Sequence, residues 1–124
     1  VSIVAATDSQ IILIDCSHIM TLCHHVCSFH NQMIRNMLSS VARSNLQLNQ
    51  KIEILSKRTT REKVMAYLLS EAAIQGTDSF TIPYDRQELA DFLGVERSAM
   101  SAVISKLRDD GYIKVNRRQF QLIR

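Results

Sequence analysis

The sequence predicts a mainly α-helical protein with small β elements, and three observations support this fold class. Residues 28–56 carry apolar side chains at the alternating spacing of a long coiled-coil helix. Residues 85–113 contain two short amphipathic segments separated by Gly94. Two further segments, residues 112–115 and 119–123, alternate in polarity around a turn. Together these features predict a long coiled-coil helix followed by a winged helix-turn-helix domain.

The composition is that of a globular protein. Of the 124 residues, 46% are hydrophobic and 22% are charged, as in folded domains. No apolar run approaches the ~20 residues that a bilayer-spanning helix needs, and no signal-peptide pattern is present. We therefore expect a cytoplasmic protein with no membrane partner. The net charge of +3 permits a polyanionic partner without requiring one, and three cysteines do not indicate a disulfide framework.

The first residues favour β structure. Residues 2–6 and 10–15 flank a Thr-Asp-Ser turn, which predicts a hairpin. Because two strands alone are only marginally stable in water, we expect the hairpin to belong to a larger β domain whose other strands are absent from this chain. A short helix is predicted over residues 17–23.

The long helix, predicted over residues 28–56, has a polar residue within its apolar seam. An asparagine at an a position favours a parallel, in-register dimer. The alternative is a helix packed only against its own domain, which would need a wider apolar stripe. The spacing therefore favours a homodimer. The seam consists of Ile34, Leu38, Val41, Asn45, Leu48, Ile52 and Leu55.

Two capping patterns mark the next helix starts. Thr59 is followed by Glu62, the pattern of a capping box, and the helix that begins there should end near Gly76. Residues 80–84 predict a short edge strand, because they include a proline. Asp85 and Glu88 form the second capping pattern. The inward residues of the first of these helices are predicted to be Val64, Met65, Leu68, Leu69 and Ala72.

The corner around Gly94 predicts a helix-turn-helix. In the helix over residues 86–93, Leu89 and Leu93 should face inward, and Ala90 should be small because a second helix crosses it. Gly94 can adopt the positive φ of a tight turn at little cost. The second helix should bury Met100, Val103, Ile104 and Leu107. Its other side carries Arg97, Ser98, Ser101, Ala102 and Ser105.

With these elements in place, the chain resembles the C-terminal half of a Crp/Fnr-family bacterial transcription regulator. The segment QELADFLGVERSAMSAVISKLRDDGYI is the most specific part, and the TTREK start, the FTIPYDRQELA stretch and the long helix occur in the family's order. The resemblance covers essentially the whole chain. It implies a homodimer that binds a palindromic promoter site in double-stranded DNA, with RNA polymerase as a further partner.

The resemblance also implies a domain division. Residues 1–27 would be the last strands and junction of a truncated cyclic-nucleotide-binding-like β-barrel, residues 28–56 the dimerisation helix, and residues 57–124 the winged helix-turn-helix DNA-binding domain. The effector pocket would lie mostly outside this chain. We therefore expect no cofactor in this fragment, and the effector stays unknown.

The DNA contacts implied by the resemblance fall on the second helix of the corner, on the start of the first and on the wing. Arg97 matches an arginine that contacts the target, and Ser101 matches a position often used. Ser98 and Ala102 stand where the family often has glutamate and arginine. Because alanine cannot make the bidentate guanine contact, the family's operator sequences should not be transferred. Phosphate contacts are implied for Arg86, Gln87, Arg117 and Arg118.

Two other functions stay open at this stage. Cys23, Cys27 and His30 could share one helical face and form a metal or redox sensor. Their spacing matches no standard closed site, so we expect no bound metal and small buried cysteines instead. A winged helix can also serve as a protein interaction module. The standard catalytic motifs are absent from the sequence, which predicts that the chain is not an enzyme.

Overall fold

The computed structural model describes residues 2–15, Ser17 and residues 27–123. It forms two compact units, Val1–Ser44 and Asn45–Arg124. No helix in the described part of the chain is long and apolar enough to cross a membrane. The elements in that part are α1 (Ser28–Leu55), α2 (Thr60–Gln75), β1 (Ser79–Thr81), α3 (Arg86–Leu93), α4 (Arg97–Asp109), β2 (Ile113–Asn116) and β3 (Gln119–Leu122).

The hairpin predicted at the start of the chain is wrong. Residues 2–15 contain no strand. The physical reason is that a two-stranded hairpin needs further strands or a helix to cover its apolar face. The described part of the first unit, Val1–Ser44, contains no strand that could do so. Apart from Ser17, the short helix predicted over residues 17–23 lies outside the described residues. The apolar side chains left exposed are Ile3, Val4, Ile11, Ile12, Leu13 and Ile14.

The predicted start and end of α2 are confirmed. The Glu62 N–H donates to Thr59 Oγ1 at 3.1 Å, and the Thr59 N–H donates to Glu62 Oε2 at 3.0 Å. These bonds satisfy two N–H groups that a helix start otherwise leaves unpaired. Gly76 ends the helix with φ 66°.

The buried face of α2 differs from the prediction at two positions. Val64, Leu68 and Ala72 are buried as predicted, but Leu69 is 51% exposed and Tyr67 is buried instead. The buried residues follow the i, i+3, i+4, i+8 spacing of a single helical stripe, and Leu69 falls outside it. Tyr67 is buried because its ring packs against two aromatic rings from later in the chain. These rings belong to Tyr84 and Phe92.

The three strands form one antiparallel sheet in the order β1-β3-β2. Phe80 of β1 and Val115 of β2 both pair with Phe120 of β3. β1 is shorter than the strand predicted over residues 80–84, since Pro83 has no N–H to continue the ladder. The sheet covers one side of the core, and β2 and β3 form the wing.

The corner between α3 and α4 forms as predicted. Leu89, Ala90 and Leu93 are buried, and Ala90 is fully inaccessible. Gly94 has φ 60°, a conformation that is cheap only without a Cβ. Lys63 Nζ of α2 donates to the Leu93 carbonyl oxygen at 3.3 Å and so satisfies a group at the end of α3. On α4, the buried residues are Met100, Ile104 and Leu107, and Val103 is half-buried.

Candidate nucleic-acid interface

The start of α3 is held by an aspartate cap. The Glu88 N–H donates to Asp85 Oδ1 at 2.9 Å, and the Asp85 N–H donates to Glu88 Oε2 at 2.7 Å. The Glu88 N–H bond is the main cause of a lowered Asp85 pKa, and the charges of Arg118 and Arg97 contribute further.

Arg86, the first residue of α3, does not extend freely into solvent. Its guanidinium carbon lies 5.3 Å from the centre of the Phe120 ring, a cation–π distance. Nη1 is buried and has no hydrogen-bond partner among the residues that the structure describes. Burial lowers the pKa of Arg86. The predicted phosphate contact would thus fall to the exposed part of this side chain, while the rest packs against the wing.

The two arginines of the wing turn have different surroundings. Arg117 is exposed and has φ 53°, a left-handed conformation that costs a non-glycine residue about 1–2 kcal/mol. Arg118 Nη1 donates to the Pro83 carbonyl oxygen at 3.2 Å, and Nη2 lies 4.0 Å from Glu88 Oε2. Arg118 therefore ties the wing to the start of α3, whereas Arg117 is exposed at the turn. A cavity of about 260 Å³ is lined by Tyr84, Asp85, Arg86, Arg117 and Arg118.

The start of α4 is capped by a residue that the sequence reasoning missed. The Glu96 carboxylate accepts hydrogen bonds from the Ser98 N–H at 3.1 Å and the Ala99 N–H at 3.2 Å. It also accepts a bond from the Ser98 hydroxyl. These bonds, chiefly that of the Ser98 hydroxyl, lower the pKa of Glu96. Ser98 was predicted to contact DNA, but its hydroxyl proton is engaged in this cap.

The remaining predicted contact residues lie along α4 and α3. Arg97 is exposed, and no hydrogen bond or ion pair engages it within the described ranges. Ala102 is exposed and Ser101 is half-buried. On α3, Gln87 is exposed and its Nε2 donates to Asp91 Oδ1 at 2.9 Å. The start of α3 and the wing turn line one cavity, and the charge of Arg97 at the start of α4 acts on Asp85, so we treat these three segments as one surface. We call it the basic face, and it contains Arg86, Arg97, Arg117 and Arg118.

Most of the predicted dimer seam is apolar and open to solvent in the single chain. Leu38 and Ile52 are each 64% exposed, and Val41 and Leu48 are similarly open. Leu55 is also exposed, whereas Ile34 is half-buried. Asn45 Oδ1 accepts a bond from Asn49 Nδ2 at 2.8 Å.

The metal candidate is only partly described. Cys23 lies outside the described residues, and Cys27 is a half-buried free thiol. Within the described part, no group of three or more His, Cys, Asp or Glu side chains could hold a metal ion.

Comparison with known proteins also identifies a helix-turn-helix domain in this chain. A family model for the Crp-like helix-turn-helix domain matches residues 62–124. The nitrogen fixation regulation protein FixK of Bradyrhizobium diazoefficiens is 30% identical over 89 residues, which cover 68% of this chain and 38% of FixK. The transcriptional regulatory protein btr of Bordetella pertussis is 24% identical over 127 residues, covering 98% of this chain and 51% of btr. The chain thus spans about half the length of these relatives or less.

Solved structures share the fold. The structure of FixK2 from Bradyrhizobium japonicum has a TM-score of 0.65 at 22% identity and covers 75% of this chain and 48% of FixK2. A CRP-family transcriptional regulator from Thermus thermophilus has a TM-score of 0.59 at 22% identity, covering 73% of this chain and 49% of that one. The residues matched by the family model make up half of the chain and run from α2 to the end of the wing. The chain therefore belongs to the Crp/Fnr family of transcription regulators and carries its Crp-like helix-turn-helix domain.

Proposed function

We propose that this chain is the DNA-binding part of a transcription regulator and that α4 is its recognition helix. The observation that carries the proposal is the basic face, in which the exposed Arg97 begins α4 and Arg118 of the wing bonds to the Pro83 carbonyl oxygen just before the capped start of α3. In a helix-turn-helix the N-terminal residues of the second helix contact base edges while the first helix crosses the backbone. The order of α3 and α4 and the exposed start of α4 support this assignment. Regulation of transcription would also involve RNA polymerase, the partner that the family resemblance implies.

The side chains of the basic face divide into different tasks. Arg97 makes no hydrogen bond or ion pair within the described residues and stands on α4, so we assign it to base edges, where arginine pairs with guanine O6 and N7. Arg117 is exposed on the wing and suits a phosphate oxygen, as does Gln87 at the start of α3. Arg118 is already bonded to Pro83 and lies beside Glu88. Its task is to hold the wing against α3, with a phosphate contact secondary.

A matched pair of variants tests this division. The probe is a duplex selected from random DNA by the unaltered chain, compared with a scrambled duplex. Arg97→Ala should cost about 1–3 kcal/mol on the selected duplex and relax preference at one or two base pairs. Arg117→Ala should weaken both duplexes similarly and reduce the salt slope by about 1. If Arg97→Ala weakened both duplexes equally, the assignment of Arg97 to bases would be wrong.

We further propose that two chains pair through the α1 seam. An exposed apolar row is unfavourable in water, and the heptad spacing matches a two-stranded coiled coil. Ile54, which is buried in the core of the C-terminal unit, falls at the c position of the heptad. It therefore lies away from the seam, which leaves the a and d positions available to a second copy. Two recognition helices per dimer would then contact two half-sites about one helical turn apart.

Introducing negative charge on two different sides of α1 tests the seam. Leu48→Glu with Ile52→Glu would place like charges against their symmetry mates, so the variant should sediment as a monomer. The matched control is Leu46→Glu with Gln47→Glu, since Leu46 is also apolar and 65% exposed but lies outside the seam. The control should remain dimeric. A dimeric seam variant would contradict the pairing.

One observation favours a second candidate function. α4 carries no arginine between Arg97 and Arg108, and the exposed Ala102 occupies the place where the family often has an arginine. A winged helix with so few base-contacting side chains could bind another protein instead. Added salt distinguishes the two, because counterion release weakens DNA binding steeply.

A further inference from the structure

Glu96 holds a fixed negative charge at the tip of α4. Its carboxylate is exposed and accepts three hydrogen bonds, from the N–H groups of Ser98 and Ala99 and from the Ser98 hydroxyl. A carboxylate has about four acceptor sites. Within the described residues one site, on Oε1, therefore stays open, and the bonds to α4 hold the carboxylate at the tip of the helix.

Capping alone does not explain a glutamate here. The preferred caps are Asn, Asp, Ser and Thr, whose short side chains reach the N–H groups directly. The other two helices of the same domain with described caps use such residues, Thr59 and Asp85. A carboxylate on a surface that meets DNA also carries a cost, because it is repelled by phosphates. A compensating contact would account for its presence.

The chemistry of the open site defines that contact. An ionised carboxylate is only an acceptor, and hydrogen bonding keeps the pKa of Glu96 low. In the major groove, donors come from the exocyclic amino groups of cytosine N4 and adenine N6, whereas guanine and thymine present acceptors at the corresponding place. The adjacent Arg97 is only a donor. The tip of α4 thus offers one acceptor and one donor side by side.

We propose that Glu96 is a specificity-determining residue that accepts a hydrogen bond from the exocyclic amino group of a cytosine or adenine. The same charge disfavours guanine or thymine at that place on the strand, so the residue acts both by attraction and by exclusion. The inference rests on the proposed function, because it requires α4 to enter the major groove.

The test compares two capping carboxylates, Glu96 at the start of α4 and Asp85 at the start of α3. Glu96→Ser retains a preferred cap and removes the charge. The matched control, Asp85→Ser, keeps a capping box with Glu88 at the start of α3. Dissociation constants are measured on the selected duplex and on duplexes with every single base-pair change in one half-site. Thermal melting verifies that each variant is folded.

The unaltered chain should prefer cytosine or adenine by about tenfold at one position of the half-site. Glu96→Ser should lose that preference alone, mainly by binding more tightly to duplexes with guanine or thymine at that place, whereas Asp85→Ser should tighten binding without changing any preference. Glu96→Asp, which keeps the cap and the charge but is one methylene shorter, should also lose the preference. Should Glu96→Ser and Glu96→Asp keep every base preference, Glu96 would be only a cap. If the unaltered chain does not distinguish selected from scrambled DNA, the proposed function itself fails.

Discussion

Replacing Ala102 with arginine should give α4 a base contact that the present sequence lacks. Ala102 is exposed and follows Arg97 by five residues. At 1.5 Å per residue this is about 7.5 Å along the helix, or about two base-pair steps of 3.4 Å. The new guanidinium would therefore meet a different base pair from the one that Arg97 contacts. Arginine bonded to guanine O6 and N7 discriminates by about 1–3 kcal/mol, roughly 5- to 150-fold in affinity.

The effect should appear as specificity and leave stability almost unchanged. Alanine and arginine differ by only a few tenths of a kcal/mol in helix propensity, and the position is exposed, so the melting temperature should stay within a few degrees. Fluorescence anisotropy on four duplexes, one for each base pair at the tested position, measures the preference at fixed salt. The control is Ala73→Arg, which adds the same charge at an exposed position of α2.

The expected result is a gain confined to the duplex with a G·C pair, with little change for Ala73→Arg. Equal tightening on all four duplexes would show that the arginine contacts only phosphates, which would refute the placement of Ala102 over base edges.

Four other predictions concern the framework of the domain. Asn45→Leu should keep the association of chains but broaden the oligomer distribution in sedimentation, because the polar restriction at the a position is removed. Tyr67→Phe should stabilise the protein by up to about 1 kcal/mol in urea unfolding, since the buried Tyr67 hydroxyl has no well-formed hydrogen bond in the described residues, although the Glu71 carboxylate lies close to it. Burial raises the pKa of Tyr67 above its ordinary value of 10.0. The free energy of unfolding should therefore fall as the pH rises above about 10, because Tyr67 ionises more readily in the unfolded chain than in the folded one. The Phe variant should lose less stability over this pH range. Ala90→Leu should destabilise by about 1–3 kcal/mol through overpacking between α3 and α4, and a neutral effect would contradict that crossing. Protein purified without chelator should hold well under one equivalent of zinc or iron by elemental analysis, and Cys23→Ser with Cys27→Ser should leave DNA binding intact; stoichiometric metal lost in the double variant would reverse this interpretation.

Features with local causes are predictable from the sequence. The cap formed by Thr59 and Glu62 depends on residues three apart, and Gly94 is required by a single positive φ. The periodicity of α1 and α4 likewise fixes which residues lie on which face. The helix bounds and the two-stranded wing therefore follow closely from the pattern.

Features with distant causes are not predictable in this way. The sequence pattern gives no reason to place Arg86 against Phe120 or Arg118 beside Pro83, because each contact depends on the assembled wing. Tyr67 is buried for the same reason, through rings that follow it in the chain. The strands predicted over residues 2–15 fail because strand formation depends on partners outside the segment. The identity of the basic residues came from the family resemblance, and their roles as DNA contacts stay predictions.

The most direct test of the account is the affinity of the unaltered chain for DNA across a salt series. Dissociation constants are measured for the selected palindrome and the scrambled duplex between about 50 and 200 mM salt. We expect both to weaken steeply, with a log–log slope of about −0.9 for each phosphate contact. The palindrome should bind about a thousandfold more tightly than the scrambled duplex, or better. Failure to bind either duplex, with no response to salt, would mean that the winged domain meets a protein partner instead of DNA.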